Sequence, residues 1–308
     1  MGMDESKRDI RVEDTRLVTE SDVTKISADA EWFRDCFKLA SALILTEVQF
    51  DIEDDGLHMK QMEESHIART DLFLPKVLFK ELKKGKIIST LRFDVRDINA
   101  ILSKVSKGDV VTFSISEGVS ERERGRLVVE LKGRRINTYR ITLFEAEELN
   151  KRDPRVVFSV RVKTNIDGIV EAVDKAKALL GGKANRKDAW TGTFTLESNP
   201  MGIAMKFAGD DGMKSGSMQL TNAWDIMQFE GKTGQQVIVA QAYIEAIIKA
   251  IARVTNMVTI EMATFIPLHI IAELPFKGSL SFWLAPRVPD EEADKVRGRA
   301  PEKEVSAR

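Results

Sequence analysis

One cysteine, two tyrosines, three histidines and eight prolines are all that 308 residues hold of those types. Each scarcity closes a route. A lone Cys36 excludes an intramolecular disulfide, and its place in an apolar-periodic segment fits a protein kept in a reducing, intracellular compartment. His58, His66 and His269 have no cysteine close in sequence. A zinc site needs three or four clustered ligands, so no metal site is read and the three read as structural histidines. No apolar run reaches the ~18–20 residues of a membrane span. The longest, near Phe265–Phe276, is interrupted by Pro267, His269 and Glu273. The opening residues lack the apolar h-region of a signal peptide. Net charge is −1, from 47 basic and 48 acidic residues. No overall positive field draws nucleic acid, so charge that carries function must be sorted in space.

What is present is repetition. A short alternating strand, an amphipathic helix and three more strands recur over Lys25–Pro75, Ile88–Phe144, Val156–Asn222 and Gly234–Val288. The strands rest on period-two alternation, as in Val111, Phe113 and Ile115 against Val110, Thr112 and Ser114. The helices rest on apolar residues three and four apart, such as Trp32, Phe33, Phe37, Ala40 and Ile44. The reading is α+β: two similar domains, each of two βαβββ units, with helices on one face of antiparallel sheets. The boundaries are 25–143 and 157–288, joined by a connector at 144–156. A charged extension at 1–24 and a tail at 289–308 (PDEEADKVRGRAPEKEVSAR from residue 289 on) have the composition of flexible, solvated segments.

Motifs that carry catalysis or bind cofactors dissolve on inspection. Asp51–Gly56 (DIEDDG) opens like a calcium loop, but its twelfth position is Met62 where a bidentate Glu is required. Asp-Gly between two alternating runs signals a hairpin instead. Gly231-Lys232-Thr233 ends like a phosphate loop, yet the leading glycine is replaced by Ile226 and a strand follows. Gly181-Gly182-Lys183 lacks the following Ser or Thr. No serine or cysteine sits in a nucleophile elbow. No catalytic residue and no cofactor is assigned.

The helices carry the recurring signal. Arg34 and Lys38 lie opposite the apolar face of the first, Lys104 and then Lys107 of the second, Lys175 and Lys177 of the third, Lys249 and Arg253 of the fourth. If the helices share one side, these residues pool into a basic surface suited to a phosphate backbone and blind to bases. The segments Gly133–Leu143 and Met213–Thr221 each close a unit, which places them at sheet borders. One such border meeting the other is a head-to-tail contact, the kind that closes rings.

At these residues the chain resembles the archaeal and eukaryotic sliding clamps, the proliferating cell nuclear antigen family. The likeness covers Ile26–Val288 and is most specific in Gly278–Val288 (GSLSFWLAPRV), Leu57–Leu74 (LHMKQMEESHIARTDLFL) and Ile266-Pro267-Leu268. The resemblance implies a head-to-tail trimer whose helices line a hole around double-stranded DNA, bound without sequence preference. It implies a non-catalytic processivity factor that tethers DNA polymerase, flap endonuclease and DNA ligase and is opened by a separate clamp loader. Arg34 and Lys249 match the family's hole-lining positions best. Its partner-motif pocket maps onto Met62, His66, Ile67, Leu149, Pro267, Trp283, Ala285 and Pro286, an apolar seat for an aromatic anchor. The setting it implies is cytoplasmic and nucleoid-associated, or nuclear in a eukaryote.

Departures from the pattern are Arg69 at an apolar pocket position, the pair Glu63-Glu64, a long basic loop at Gly181–Ala189 and the N-terminal extension. They leave open a subunit of a mixed or repair-specialised ring. From another class, the alternative is an α+β enzyme with dispersed carboxylates, which requires a deep pocket with perturbed acids.

Overall fold

The computed structural model describes residues 23–43, 46–85, 89–116, 126–149, 152–180, 192–209, 212–221 and 224–288. The first half runs β1 (Thr24–Asp29), α1 (Ala30–Ala40), β2 (Glu47–Ile52), β3 (Gly56–Met62), β4 (Ala68–Pro75), β5 (Glu81–Lys83), β6 (Thr90–Asp94), α2 (Val95–Leu102), β7 (Val110–Ser116), β8 (Arg126–Lys132) and β9 (Ile136–Thr142). The second runs β10 (Val160–Asn165), α3 (Ile166–Leu180), β11 (Thr193–Asn199), β12 (Gly202–Ala208), β13 (Ser215–Thr221), β14 (Ile226–Gly231), β15 (Gln236–Ala240), α4 (Gln241–Ile251), β16 (Met257–Met262), β17 (Leu268–Leu274) and β18 (Gly278–Leu284).

The helices start where a short acceptor precedes an apolar-periodic run. Asp29 takes the Trp32 amide at 3.0 Å and Asp94 the Arg96 amide at 2.8 Å, so each caps its helix. Asn165 does the same for Asp167 ahead of α3. α1 stops at Ala40, short of the expected Ile44, and α4 at Ile251, short of Arg253, which the periodicity placed on that helix. Two strands are not visible as alternation in the sequence. β5 is only three residues long, and β14 (IMQFEG) is an edge strand exposed over most of its length after Ile226.

Every strand pair is antiparallel. A central sheet has the order β14-β10-β16-β17-β18-β4-β3-β2-β6, so both halves of the chain build it. Flanking it are β5-β1-β7-β8-β9 and β13-β12-β11-β15. β9 and β13 are therefore border strands, as their place at the ends of their units suggests. The helices pack in a single row: α2 beside α1, α1 beside α4, α4 beside α3.

Beneath α1 the core is aromatic, with Phe33, Phe37, Phe50, Phe93 and Phe113 in edge and stacked contact. Beneath α4 it is aliphatic: Ile244, Ile247, Ile248 and Ile251 are buried, as are Val258 and Ile260 of β16. Each such side chain contributes roughly 1.5–3 kcal/mol by leaving water. Cys36 belongs to this core, where burial pushes its thiol up to about 12. The Gly231-Lys232-Thr233 stretch is the turn between β14 and β15. Gly231 has φ +124, and a Cβ there would meet the Ser159 carbonyl oxygen at 2.1 Å, so glycine serves the turn and no phosphate loop forms. The basic loop at Gly181–Ala189, most of the N-terminal extension and the tail from 289 lie outside the described residues.

Candidate functional site

Two surfaces gather the residues singled out in the sequence. The first is a groove of about 1080 Å³ where the turn after β3, the connector and the end of β18 meet. Sheet register explains how distant segments converge there. Across the outer face of the central sheet, Arg161, Glu261, His269, Trp283, Arg69 and Met62 are successive cross-strand neighbours. His269 stacks on Trp283 with centroids 3.8 Å apart, and Phe158 packs against both.

Met62, His66, Ile67, Leu149, Pro267, Trp283 and Ala285 all line this groove. Pro286 does not. The Ala285 amide donates to the Ile67 carbonyl (2.8 Å) and the Arg287 amide to the Ile238 carbonyl (2.7 Å); between these two anchors the chain carries Pro286 off the wall. His66 sits in the β3–β4 turn with φ 58.

Glu63 builds that turn: its carboxylate accepts the Ser65 amide at 2.9 Å and the Ile67 amide at 2.8 Å. Glu64 accepts the Thr46 hydroxyl at 2.5 Å. The acidic pair that departed from the family pattern is therefore a shaping element of the groove.

Arg69 is the main residue to which the sequence assigned no role. It is buried, and its fork donates to both Asp71 oxygens at 2.6 and 2.9 Å. The same guanidinium donates to the Arg152 carbonyl (2.6 Å) and to Asp153 (2.9 Å), both in the connector. Lys60 holds Asp153 from the other side at 2.9 Å. That bond, more than Arg69, keeps the Asp153 carboxyl below its ordinary range. Burial pushes Asp71 the other way, upward, against the pull of Arg69. Farther along the connector, Gln49 exchanges two hydrogen bonds with the Glu147 backbone, and Arg92 pairs with Glu47 and Glu147. The connector is thus laced to the sheet at both ends of the groove.

The second surface is the helix row. Its basic residues fall into two groups. On α3 and α4 they are neutralised: Lys175 pairs with Glu171 (2.6 Å), Lys177 with Glu245 (2.7 Å), and Lys249 with Glu245 (2.9 Å) and Asp174 (3.2 Å). Burial pushes the Glu245 carboxyl up, but the two ammoniums overcome it and leave it below its ordinary value.

Where α1 meets α4, Arg34 and Lys38 share the single carboxylate of Asp35, at 3.0 and 3.9 Å. Burial, then Arg253, then Arg34 pull the Lys38 ammonium below its ordinary range, which sets the three cations close together. Arg253, Lys104 and Lys107 are exposed and form no ion pair among the described residues. Of the eight basic positions, Arg34, Lys38, Lys175, Lys177 and Lys249 lie on the helices, whereas Lys104, Lys107 and Arg253, which the sequence placed there too, follow the ends of α2 and α4.

Elsewhere, the Asp51–Gly56 stretch is a hairpin turn, which His58 closes by bonding Asp55 at 2.8 Å. Glu53 lies near that pair, and together the three are the one group of potential metal ligands among the described residues. The His58–Asp55 hydrogen bond accounts for it.

A single helix row, a central sheet shared by both halves and a free border strand on each flanking sheet define the clamp type of α+β fold. The profile of the proliferating cell nuclear antigen N-terminal domain matches residues 33–147. DNA polymerase sliding clamp 1 of Pyrobaculum aerophilum is 25% identical over 249 residues, covering 80% of this chain and 91% of that relative. Among solved structures, one from the PCNA2–PCNA3 complex of Sulfolobus tokodaii superposes with a TM-score of 0.70 at 19% identity, over 85% of this chain and 99% of that one. Another, A. fulgidus PCNA bound to the C-terminal region of FEN-1, gives 0.68 at 18% identity, over 86% and 99%. By these likenesses residues 33–147 match the N-terminal domain of the proliferating cell nuclear antigen family, and the chain as a whole is similar to archaeal DNA polymerase sliding clamps.

Proposed function

We propose that this protein is a DNA polymerase processivity factor: a ring of head-to-tail subunits, three by family likeness, that encircles duplex DNA and tethers replication and repair enzymes. The observation that carries the reading is the helix row itself, with cations beside it that form no ion pair among the described residues and an open strand border at either flank. Each subunit is read as two clamp domains, 25–143 and 157–288, joined by the 144–156 connector. β9 of one copy continues the sheet of the next by pairing with its β13, which removes both edges. The row then faces inward and meets phosphates through Arg34, Lys38, Arg253, Lys104 and Lys107. No side chain needs to read a base, so contacts exchange freely and the ring slides. Its hold on DNA is topological.

On the outside, the groove receives a short peptide of a partner enzyme. Trp283, Ile67 and Pro267 offer apolar surface, and the laced connector forms one wall. The A. fulgidus relative bound to the FEN-1 C-terminal region supports this. The reading leaves Asp71, the carboxyl that burial raises among the described residues, a structural part, because the fork of Arg69 engages it.

The test is topological too. Loaded by a clamp loader onto nicked circular DNA, the protein should stay bound through a salt wash and run off once the circle is linearised. Equal retention on circular and linear DNA would reject encirclement.

A further inference from the structure

Trp224 lies between β13 and β14 with 89% of its surface exposed, and its indole makes no hydrogen bond or ring contact among the described residues. A tryptophan left in water lowers the solubility of the free chain and marks a contact surface. At the other end of the molecule, α2 and β9 enclose an open cleft of about 1300 Å³. Its lining includes Ile101 and Leu131, Tyr139 stands half-open beside them, and Arg134, Arg135 and Lys104 supply its positive charge. None of these three cations has an ion pair among the described residues.

A head-to-tail ring brings the two surfaces together, and the inference rests on that proposed assembly. Every strand pair in the molecule is antiparallel, β12–β13 and β8–β9 included. If β9 adds to β13 of the next copy in the same sense, the start of β9 meets the end of β13. Arg134, Arg135 and the exposed Ile136 then lie against Leu220 and Thr221, three residues before Trp224. We propose that Trp224 is the anchor of ring closure: its indole seats at the cleft mouth of the adjacent copy of this chain, under the guanidinium groups of Arg134 and Arg135. An arginine over an indole face is the best of the cation–aromatic pairings. Both surfaces are otherwise unmatched, one apolar and one cationic, as the two halves of a heterologous contact are before they meet.

The experiment is the assembly equilibrium of the full chain, by sedimentation equilibrium and native mass spectrometry. Trp224→Ala and Arg134→Ala/Arg135→Ala should each raise the dissociation constant of the ring about tenfold or more. Combined, they should lose less than the product of the two effects, because they remove one shared interaction. Trp224→Phe should keep most of the affinity, and it should abolish the blue shift in tryptophan emission that accompanies assembly of the wild type. Trp224 is exposed, so thermal midpoints of diluted monomers should match.

A Trp224→Ala chain that assembles with the wild-type constant and the wild-type emission shift overturns the proposal while leaving the ring intact. Independent, fully multiplicative losses from the two sites also overturn it, since the residues would then not meet. A wild-type chain that stays monomeric at every concentration overturns the self-assembly on which the inference stands.

Discussion

Arg69 is 4% exposed and donates four hydrogen bonds, two to Asp71 and two to the connector. Arg253 is exposed and has no ion pair among the described residues. The two belong to the outer groove and the helix row, and their surroundings set them to different uses. Charge enclosed and fully bonded is construction: it fixes a backbone and offers nothing to a ligand. Charge left exposed and unanswered is available, and an anion of low chemical specificity can use it. Between these extremes stand Lys177 and Lys249, which share Glu245 and are half committed. A count of lysines on a helix face therefore overstates its field.

The largest effect should come from breaking the enclosed member. Arg69→Leu leaves Asp71 buried without its counter-ion and releases the Arg152 carbonyl and Asp153. Removing one partner of a buried pair costs about 3 kcal/mol or more. Urea midpoints should fall accordingly, and the connector at 144–156 should become the first site of proteolytic nicking. Arg69→Leu with Asp71→Leu should recover much of the stability, because no orphaned carboxylate remains. An unchanged midpoint in the single variant would mean that the cluster contributes no net stability.

Removing the available charge should do the reverse. Lys38→Gln with Arg253→Gln should leave stability within about 0.5 kcal/mol. On circular DNA it should make the dependence of retention on log salt shallower by about one unit for each phosphate no longer neutralised. Lys249→Gln sharpens the contrast. It removes one of the two ammoniums that hold Glu245, at a cost of about 0.5–1 kcal/mol for a partly exposed pair, and should alter the salt slope less than the first variant. If Lys249→Gln changes the slope more, the α3–α4 lysines leave their partners when DNA is present and the distinction collapses.

The sequence carried the elements further than it carried the sites. Alternation and helical periodicity located the repeats, and the position of Gly133–Leu143 and Met213–Thr221 at the ends of their units anticipated the two borders. β14 escaped because an edge strand buries too little to show a period. The seven groove-lining residues came from family likeness; their own spacing could not have joined Met62 to Trp283, since only sheet register makes them near neighbours. Arg69 looked like an obstacle to an apolar pocket because its partners, Arg152 and Asp153, are 83 and 84 residues away. Spacing likewise could not join Lys177 to Glu245, which lies on another helix 68 residues on. Part of that cancellation was legible: Glu245 and Lys249 are four apart, a spacing that pairs on any helix.

The smallest effect concerns a histidine that stands next to the enclosed cluster without belonging to it. His269 shares a hydrogen bond through Nδ1 with Glu261 at 2.8 Å, while its buried Nε2 has no partner. Burial pulls its pKa below the ordinary 6.5, opposed by Glu261 and, more weakly, by Asp71 and Asp153. Folded His269 therefore resists a proton that the unfolded chain accepts. Its contribution to stability is complete above about pH 6.5 and is lost as pH falls toward the folded value, with a slope of at most about 1.4 kcal/mol per pH unit for one group. Asp153, held low, loses its contribution only below 3.8, its ordinary value. Asp71, held high, slopes in the opposite sense upward from there. The difference between wild type and His269→Phe isolates the histidine, because Arg161 remains to pair with Glu261 at 3.2 Å. Thermal midpoints taken from pH 7.5 down to 5.5 should fall more steeply for the wild type than for the variant. Parallel curves would show that His269 takes its proton as readily in the fold as outside it, and that the Trp283 stack beside the groove does not sense pH.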